Sequence, residues 1–317
     1  MTLIELIESS AQQLEGAHVS FGHGTTNAKD EAAWLVLWSL GLPLDTALEA
    51  LPENPDSKAN SPVAPADIAR AATLLEARIS TRKPAAYLTQ EAWLQGVAFY
   101  VDERVIVPRS LIAELLVDGG IDYWLKPTTH TVLDLCTGNG SLAVIAAMVY
   151  PDVVVTASDL SEDALAVARI NVDKHGLQDR ITLLPSDGLN ATALQARGPF
   201  DLILCNPPYV NAQSMVDLPP EYRAEPALAL DGNSAGGTDG MDFVRTLLAA
   251  AAQHMAPGAV LVLEIGNERS HFEAAFPRLE VVWLETSAGE DQVLLVTREA
   301  LTRKALVHAP KPDGLGV

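Results

Sequence analysis

The chain has 317 residues, 48% of them hydrophobic, which is enough for one good-sized core and a smaller second one. Its 21 basic residues stand against 41 acidic ones, a formal net charge of −20 that repels phosphate backbones. No direct nucleic-acid substrate is therefore expected, and a basic partner is favoured.

The first residues, with Glu5 and Glu8 among them, carry acids where a signal peptide would carry bases. No apolar run reaches the roughly 18 residues that span a membrane. The expectation is a cytoplasmic protein with no membrane partner. Residues 1–83 read as helices: Leu3, Leu6, Ile7, Ser10 and Leu14 recur at helical spacing, as do Trp34, Leu35, Trp38 and Leu42, with Gly41 and Pro43 closing the second helix. Residues 51–65, with four prolines, read as a loop, and a third helix is expected over 66–80, carrying Ile68, Ala71, Ala72, Leu75 and Ile79 on one side. This all-α block holds no catalytic constellation, and its best role is to hold a partner. The seven histidines are scattered, and His18 and His23 read as lone surface residues.

Residues 84–108 change character. Tyr87-Leu88, Ala92-Trp93-Leu94 and the run 97–101 are β-rich around Gly96 and predict a hairpin linker. Trp93, Phe99 and Tyr100 read as packing within it. From 109 to 300 the pattern becomes strand, helix, strand. Helices are expected over 110–124, 141–149 and 241–255, with one capped by Ser161 and ended by Gly176 and a short one near 271–276. Strands are expected over 131–135, 153–157, 181–184, 201–205, 260–265, 280–285 and 292–297, with a Pro257-Gly258 turn before the fifth. Gly289 leaves so short a link between the last two that they pair antiparallel. This is an α/β chain with a doubly wound sheet and one reversed strand, and residues 301–317 read as a tail.

Three strand ends carry acids. Asp134-Leu135-Cys136-Thr137-Gly138-Asn139-Gly140 follows a strand and opens a helix, and the glycines let the backbone turn sharply and approach a ligand. Asp134 puts a carboxylate inside that loop, which suits an ammonium group and repels a pyrophosphate, and the third glycine of the dinucleotide fingerprint is missing. Asp159 ends the next strand, where an acid binds ribose hydroxyls, and Asp187 follows the third, where a carboxylate accepts from an adenine amino group. The combination points to a nucleoside bearing an amino acid, S-adenosylmethionine. Cys136 and Cys205 fall near the ends of strands expected to be neighbours; they form no metal spacing or disulfide framework and are expected as thiols.

The fourth strand ends in Asn206-Pro207-Pro208-Tyr209. Proline locks φ, donates no N–H and holds the preceding residue extended, so this corner is stiff. It offers two acceptors, the Asn206 side-chain oxygen and the Pro207 carbonyl, beside the Tyr209 ring. Such a notch suits a planar NH2 group. Asn206, Pro207 and Tyr209 are the candidate catalytic residues, and Pro208 joins them in holding substrate. Tyr209 packs on the amide plane or simply lines the wall. Arg109 either steadies the pocket or an entering peptide, or forms a structural ion pair. Glu221, Arg223 and Glu225 belong to a proline-rich loop that either covers the substrate or is solvated.

With these motifs the chain resembles the HemK/PrmB-type protein glutamine N(5)-methyltransferases over nearly its whole length. It is most similar to the branch acting on large-subunit ribosomal protein L three. The stretches that carry this are Phe21-Gly22-His23-Gly24-Thr25, Ala86-Tyr87-Leu88-Thr89, Phe99-Tyr100-Val101-Asp102-Glu103-Arg104-Val105, Val107-Pro108-Arg109-Ser110 and Leu218-Pro219-Pro220-Glu221-Tyr222-Arg223. The release-factor branch usually has Gly at Cys136 and Pro at Ser110, and both departures point away from it. The resemblance implies a helical substrate-recognition domain (1–83), a hairpin linker (84–108) and a seven-stranded, Rossmann-like class I methyltransferase domain (109–300). It implies cofactor or substrate contacts at Asp134, Gly138, Asp159 and Asn206 and a glutamine amide held by the Asn206 corner. Thr137 and Gly140 of the same loop are further S-adenosylmethionine candidates, and Asp187 is assigned from its position more than from the motif. Methylation of release factors, N(6)-adenine methylation and a non-catalytic assembly role are the alternatives.

Overall fold

The computed structural model describes residues 1–48 and 57–303. The expected loop residues 51–56 and the tail beyond 303 lie outside that range. In chain order the elements begin with α1 (Leu3–Gly16), α2 (Ala28–Ser39), α3 (Pro65–Thr81), α4 (Ala85–Thr89), β1 (Ala92–Leu94), β2 (Val97–Phe99) and α5 (Ile112–Val117). Then come β3 (Thr131–Leu135), α6 (Ser141–Val149), β4 (Val154–Asp159), α7 (Glu162–Lys174), β5 (Ile181–Pro185), α8 (Thr192–Gln195) and β6 (Phe200–Cys205). The series closes with α9 (Ala212–Asp217), α10 (Pro220–Arg223), α11 (Asp242–Ala250), β7 (Met255–Glu264), α12 (Arg269–Ala275), β8 (Val282–Thr286), β9 (Gly289–Thr297) and α13 (Arg298–Thr302).

Local chemistry accounts for the helix starts. Thr2 and Glu5 form a reciprocal capping box on α1, Asn27 caps α2, and Ser161 caps α7 with Glu162 and Asp163 in its first turn. The helical block packs α1, α2 and α3 around Leu3, Ile7, Leu14, Leu35, Leu37 and Leu75, and this core continues into Val101, Val105 and Val107 and onto Ala164 and Val167 of α7. Two readings change here. Tyr87-Leu88 is helical, because Tyr87 is buried with its hydroxyl donating to the Val105 carbonyl, which needs a compact turn. In α3 the buried stripe is Ala71, Leu75 and Arg78, while Ala72 faces solvent.

The seven-stranded sheet has the order β5-β4-β3-β6-β7-β9-β8. Only β9 runs against the others, pairing antiparallel with β7 and with β8. Alternate residues face opposite ways: Val132, Leu202, Leu204, Val260 and Val262 enter the core on the α5–α6 side. Leu133, Leu135, Ile203, Leu261 and Leu263 enter the core under α11 and α12. With both faces covered, the strands read as continuous apolar runs. Pro257-Gly258 is not a turn before β7 but lies inside it, at a register shift where Phe200 pairs with Met255 and Leu202 with Val260. The helix expected over 110–124 is shorter, since Gly119 and Gly120 end it soon after Val117. The chain order reverses between β3 and β6, so the crevice at the carboxyl ends of these strands is the place where such sheets bind ligands.

Candidate active site

At that crevice lies a cavity of about 360 Å³. Gly138 after β3, Asp159 of β4, Asp187 after β5 and Asn206 and Pro208 after β6 all line it, together with Arg104, Pro226 and Phe243. The structure therefore brings four of the candidate cofactor residues to one wall. Asp134, Thr137 and Gly140 sit behind it. Asp134 is completely buried and accepts from the Ala143 N–H at 3.0 Å and the Thr137 hydroxyl at 2.5 Å. Its other oxygen, Oδ1, has no partner among the described residues. Burial pushes the Asp134 carboxyl up to about 7, against the pull of Thr137 and Ala143. Gly140 makes its close approach to α7 rather than to a ligand: a Cβ there would stand 3.1 Å from the Ala168 Cβ.

The loop is clamped from the second strand. Asp159 accepts from the Gly138 N–H through Oδ2 and from the Ser161 N–H through Oδ1, both at 2.9 Å. Burial raises its pKa even so, with those N–H groups opposing. Cys136 has φ +62°, a left-handed backbone that L-residues adopt at a cost of roughly 1–2 kcal/mol, the kind of position where glycine fits without strain. Leu135 pairs with Cys205 across β3 and β6, so the two cysteines are near neighbours as expected, and both are free. The Cys205 thiol and burial push the Cys136 thiol up.

The Asn206 corner is held from behind. Val210 donates to the Leu230 carbonyl at 2.8 Å, and the Val210 carbonyl accepts from Gly232 at 3.1 Å and from Asn233 Nδ2 at 3.0 Å. Two glycines make room for Tyr209: a Cβ on Gly240 would lie 2.0 Å from the Tyr209 carbonyl oxygen, and one on Gly266 2.6 Å from its ring. Burial, with Glu264 beside it, pushes the Tyr209 phenol up, so it stays neutral. Among the described residues nothing donates to the Asn206 side-chain oxygen or the Pro207 carbonyl. The Asn206 oxygen is left for a ligand in the cavity, whereas Pro207 is buried and Tyr209 half-buried, and neither lines it.

The loop after the corner is neither solvated nor loose. Glu225 is buried, accepting from the Val107 N–H at 2.9 Å and bidentately from Arg109 at 2.7 and 2.8 Å. Burial opposes its charge, but Arg109 and His23 outweigh that and hold the carboxyl down at about 2. Arg109 is thus a structural ion pair, and His23 is a buried residue rather than a surface one, with Nε2 3.4 Å from Glu225. Glu221, also buried, accepts from the Ser20 N–H at 3.0 Å, Arg82 at 3.1 Å and Arg78 at 3.4 Å. Arg78 itself donates to Glu31 at 2.8 Å. The Tyr222 ring lies 4.2 Å from that of His23. Arg223 differs, donating at the surface to the Val216 carbonyl.

Three positioning residues escaped the sequence reading. Glu264 ends β7, buried, accepting from the Ser110 hydroxyl at 2.6 Å and the Leu111 N–H at 3.0 Å; burial raises its pKa despite both. An acid closing an apolar run was the same signal that singled out Asp134 and Asp159. Asn171 of α7 is fully buried and joins the Asn139 carbonyl of the glycine loop to the Tyr100 backbone at the hairpin's end. Arg78 shows the third signal, a cation on the apolar stripe of a helix.

Comparison with known proteins settles the family. The model of the Methyltransferase small domain matches residues 116–219. A "Ribosomal protein uL3 glutamine methyltransferase" of Bordetella pertussis is 51% identical, covering 95% of this chain and 96% of that protein. Its namesake in Burkholderia pseudomallei is 49% identical over 93% and 94% of the two chains. The chain belongs to the ribosomal protein uL3 glutamine methyltransferase family. The resemblance carried by the motifs is borne out, and the protein is a methyltransferase. The cofactor this membership implies is S-adenosylmethionine, and the residues present fit it. The unpaired Asp134 Oδ1 suits an ammonium group, Asp159 and Asp187 suit hydroxyl and amino donors, and no phosphate-binding glycine triad competes.

Proposed function

We propose that the protein transfers a methyl group from S-adenosylmethionine to the side-chain amide nitrogen of a glutamine in ribosomal protein uL3, in the cytoplasm, and that bare nucleic acid is not its substrate. The observation that carries this reading is the stiff Asn206-Pro207-Pro208-Tyr209 corner, of which Asn206 and Pro208 line the cofactor cavity and whose two acceptors take no hydrogen bond among the described residues. The net charge of −20 fits a cationic, RNA-binding substrate protein and opposes a phosphate backbone.

An amide nitrogen is a poor nucleophile because its lone pair is delocalised into the carbonyl. Asn206 Oδ1 and the Pro207 carbonyl accept its two N–H bonds, which fixes the nitrogen at the cavity and favours a more pyramidal geometry. Placement of this kind contributes up to about 7–11 kcal/mol. The cofactor supplies a methyl group on a sulfonium, so the leaving group is a neutral thioether. An amide nitrogen that gained this methyl would be strongly acidic, and water or a corner oxygen, Asn206 Oδ1 or the Pro207 carbonyl, would take its proton. No strong base is needed. Tyr209, neutral and wedged against Gly266, keeps a flat wall beside the amide plane. Residues 1–83 recognise the substrate, 84–108 link, and 109–300 carry the transfer.

Purified uL3, incubated with labelled cofactor and read by mass spectrometry, gains one methyl on a glutamine, while a release factor in the parallel reaction gains none. Asn206→Ala lowers kcat by at least about 10²-fold, the scale of losing one oriented polar group at a reacting centre. Its calorimetric affinity for S-adenosylmethionine stays within a few-fold of wild type. Undiminished turnover in that variant refutes the mechanism.

A further inference from the structure

A second cavity, of about 720 Å³, opens on the helical block, lined by Trp34 and Leu37 of α2, Leu44 in the segment after it and Trp93 of the hairpin. Trp93 is 45% exposed, the outward residue of β1, and its ring is fixed by an indole N–H bond to Glu91 at 2.9 Å. Trp34 is buried, and its indole N–H finds no acceptor among the described residues. Asp30 and Asp45 stand exposed on the rim, and neither is paired with a cation among the described residues. Apolar floor, aromatic wall, unsatisfied donor and unpaired carboxylates together describe the chemistry of an occupant. It brings a Lys or Arg side chain that stacks its stem on tryptophan with its charge toward the acids, and a backbone carbonyl for the Trp34 N–H. The same carboxylates repel a nucleic-acid backbone.

The groove is tied to the reaction centre by a chain of contacts. Gly24 and Thr25 line it, and one residue earlier His23 rests on Glu225 and Tyr222. Pro226, next along that loop, lines the cofactor cavity.

We infer that the groove between α2 and the hairpin is a docking site for a basic segment of the substrate protein, separate from the target glutamine. This rests on the uL3 reading above. Two exposed positions test it, Trp93→Ala and Asp45→Lys. With intact uL3 each variant raises KM about tenfold at unchanged kcat, as expected for lost cation–π and charge contacts. With a short peptide carrying only the modified glutamine, wild type and variants have the same kcat/KM. Calorimetry of intact uL3, which needs no turnover, shows the same tenfold weakening. If affinity falls in the variants but wild type methylates nothing, the groove stands and the reaction reading fails. Unchanged affinity for intact uL3 in both variants overturns the inference, as does an equal loss on the short peptide. A weakening that vanishes when residues 304–317 are removed also overturns it, since that assigns the groove to the chain's own end.

Discussion

Replacing Glu225 by Gln removes the charge that Arg109 grips from two sides while keeping the side chain's size. The carboxyl lies at about 2 in the folded protein against an ordinary 4.5. A shift of that size corresponds to about 3 kcal/mol of folding stability at neutral pH. Truncation studies of buried ion pairs give the same range, roughly 3–5 kcal/mol, because the surviving charge is left unpaired. The sign follows from the depressed pKa: the contribution is whole above about 4.5 and is lost as pH falls through about 2. Urea unfolding of wild type and Glu225→Gln at pH 7 and pH 3 reads this directly. The expected gap is about 3 kcal/mol at pH 7 and about 1 kcal/mol at pH 3. A gap below about 1 kcal/mol at pH 7, or one that does not shrink in acid, refutes the claim that this pair holds the loop to the linker.

Gly266→Ala places a Cβ 2.6 Å from the Tyr209 ring at a backbone φ of +52°. It costs about 1–3 kcal/mol in stability and lowers kcat more than it weakens cofactor binding; a normal kcat in a folded variant would detach Tyr209 from the reaction. Asp134→Asn removes a carboxyl raised by burial to about 7. A raised acid makes the free protein lose stability as pH climbs from about 4 to 7, by up to about 4 kcal/mol. The variant's unfolding midpoint therefore varies less over that interval, while its affinity for S-adenosylmethionine drops at pH 8. Identical pH profiles for the two proteins would sink the assignment.

The sheet was legible because its strands are buried on both faces. β3 and α6 fall where the apolar runs place them, and the strand-end acids and the proline corner follow from the same pattern. What escaped depends on partners far along the chain. Glu221 meets Arg78 and Arg82, and Glu225 meets Arg109, across more than a hundred residues of sequence. Taken singly, each of those charges looks like solvated surface. His23 was misread for the same reason, since only Glu225 and Tyr222 explain its burial. The short helices α9 and α10 have too few residues to show a period, so that stretch read as plain loop. Thr137 and Gly140 belonged to a recognisable loop, but only the fold shows that they brace it rather than face the cavity.

The glycine-histidine loop near the amino terminus and the Pro-Pro-Glu-Tyr-Arg stretch two hundred residues later fit one another through Tyr222, which leaves no space for a side chain at Gly22. A transplant of the first 83 residues from a relative with a different partner stretch would bring the wrong cations to Glu221 and press a misfitted surface against Tyr222. If residues 1–83 recognise the substrate as proposed, changing what such an enzyme modifies requires both segments to be exchanged in concert, and chimaeras that move only one should emerge from the cell unfolded rather than respecified.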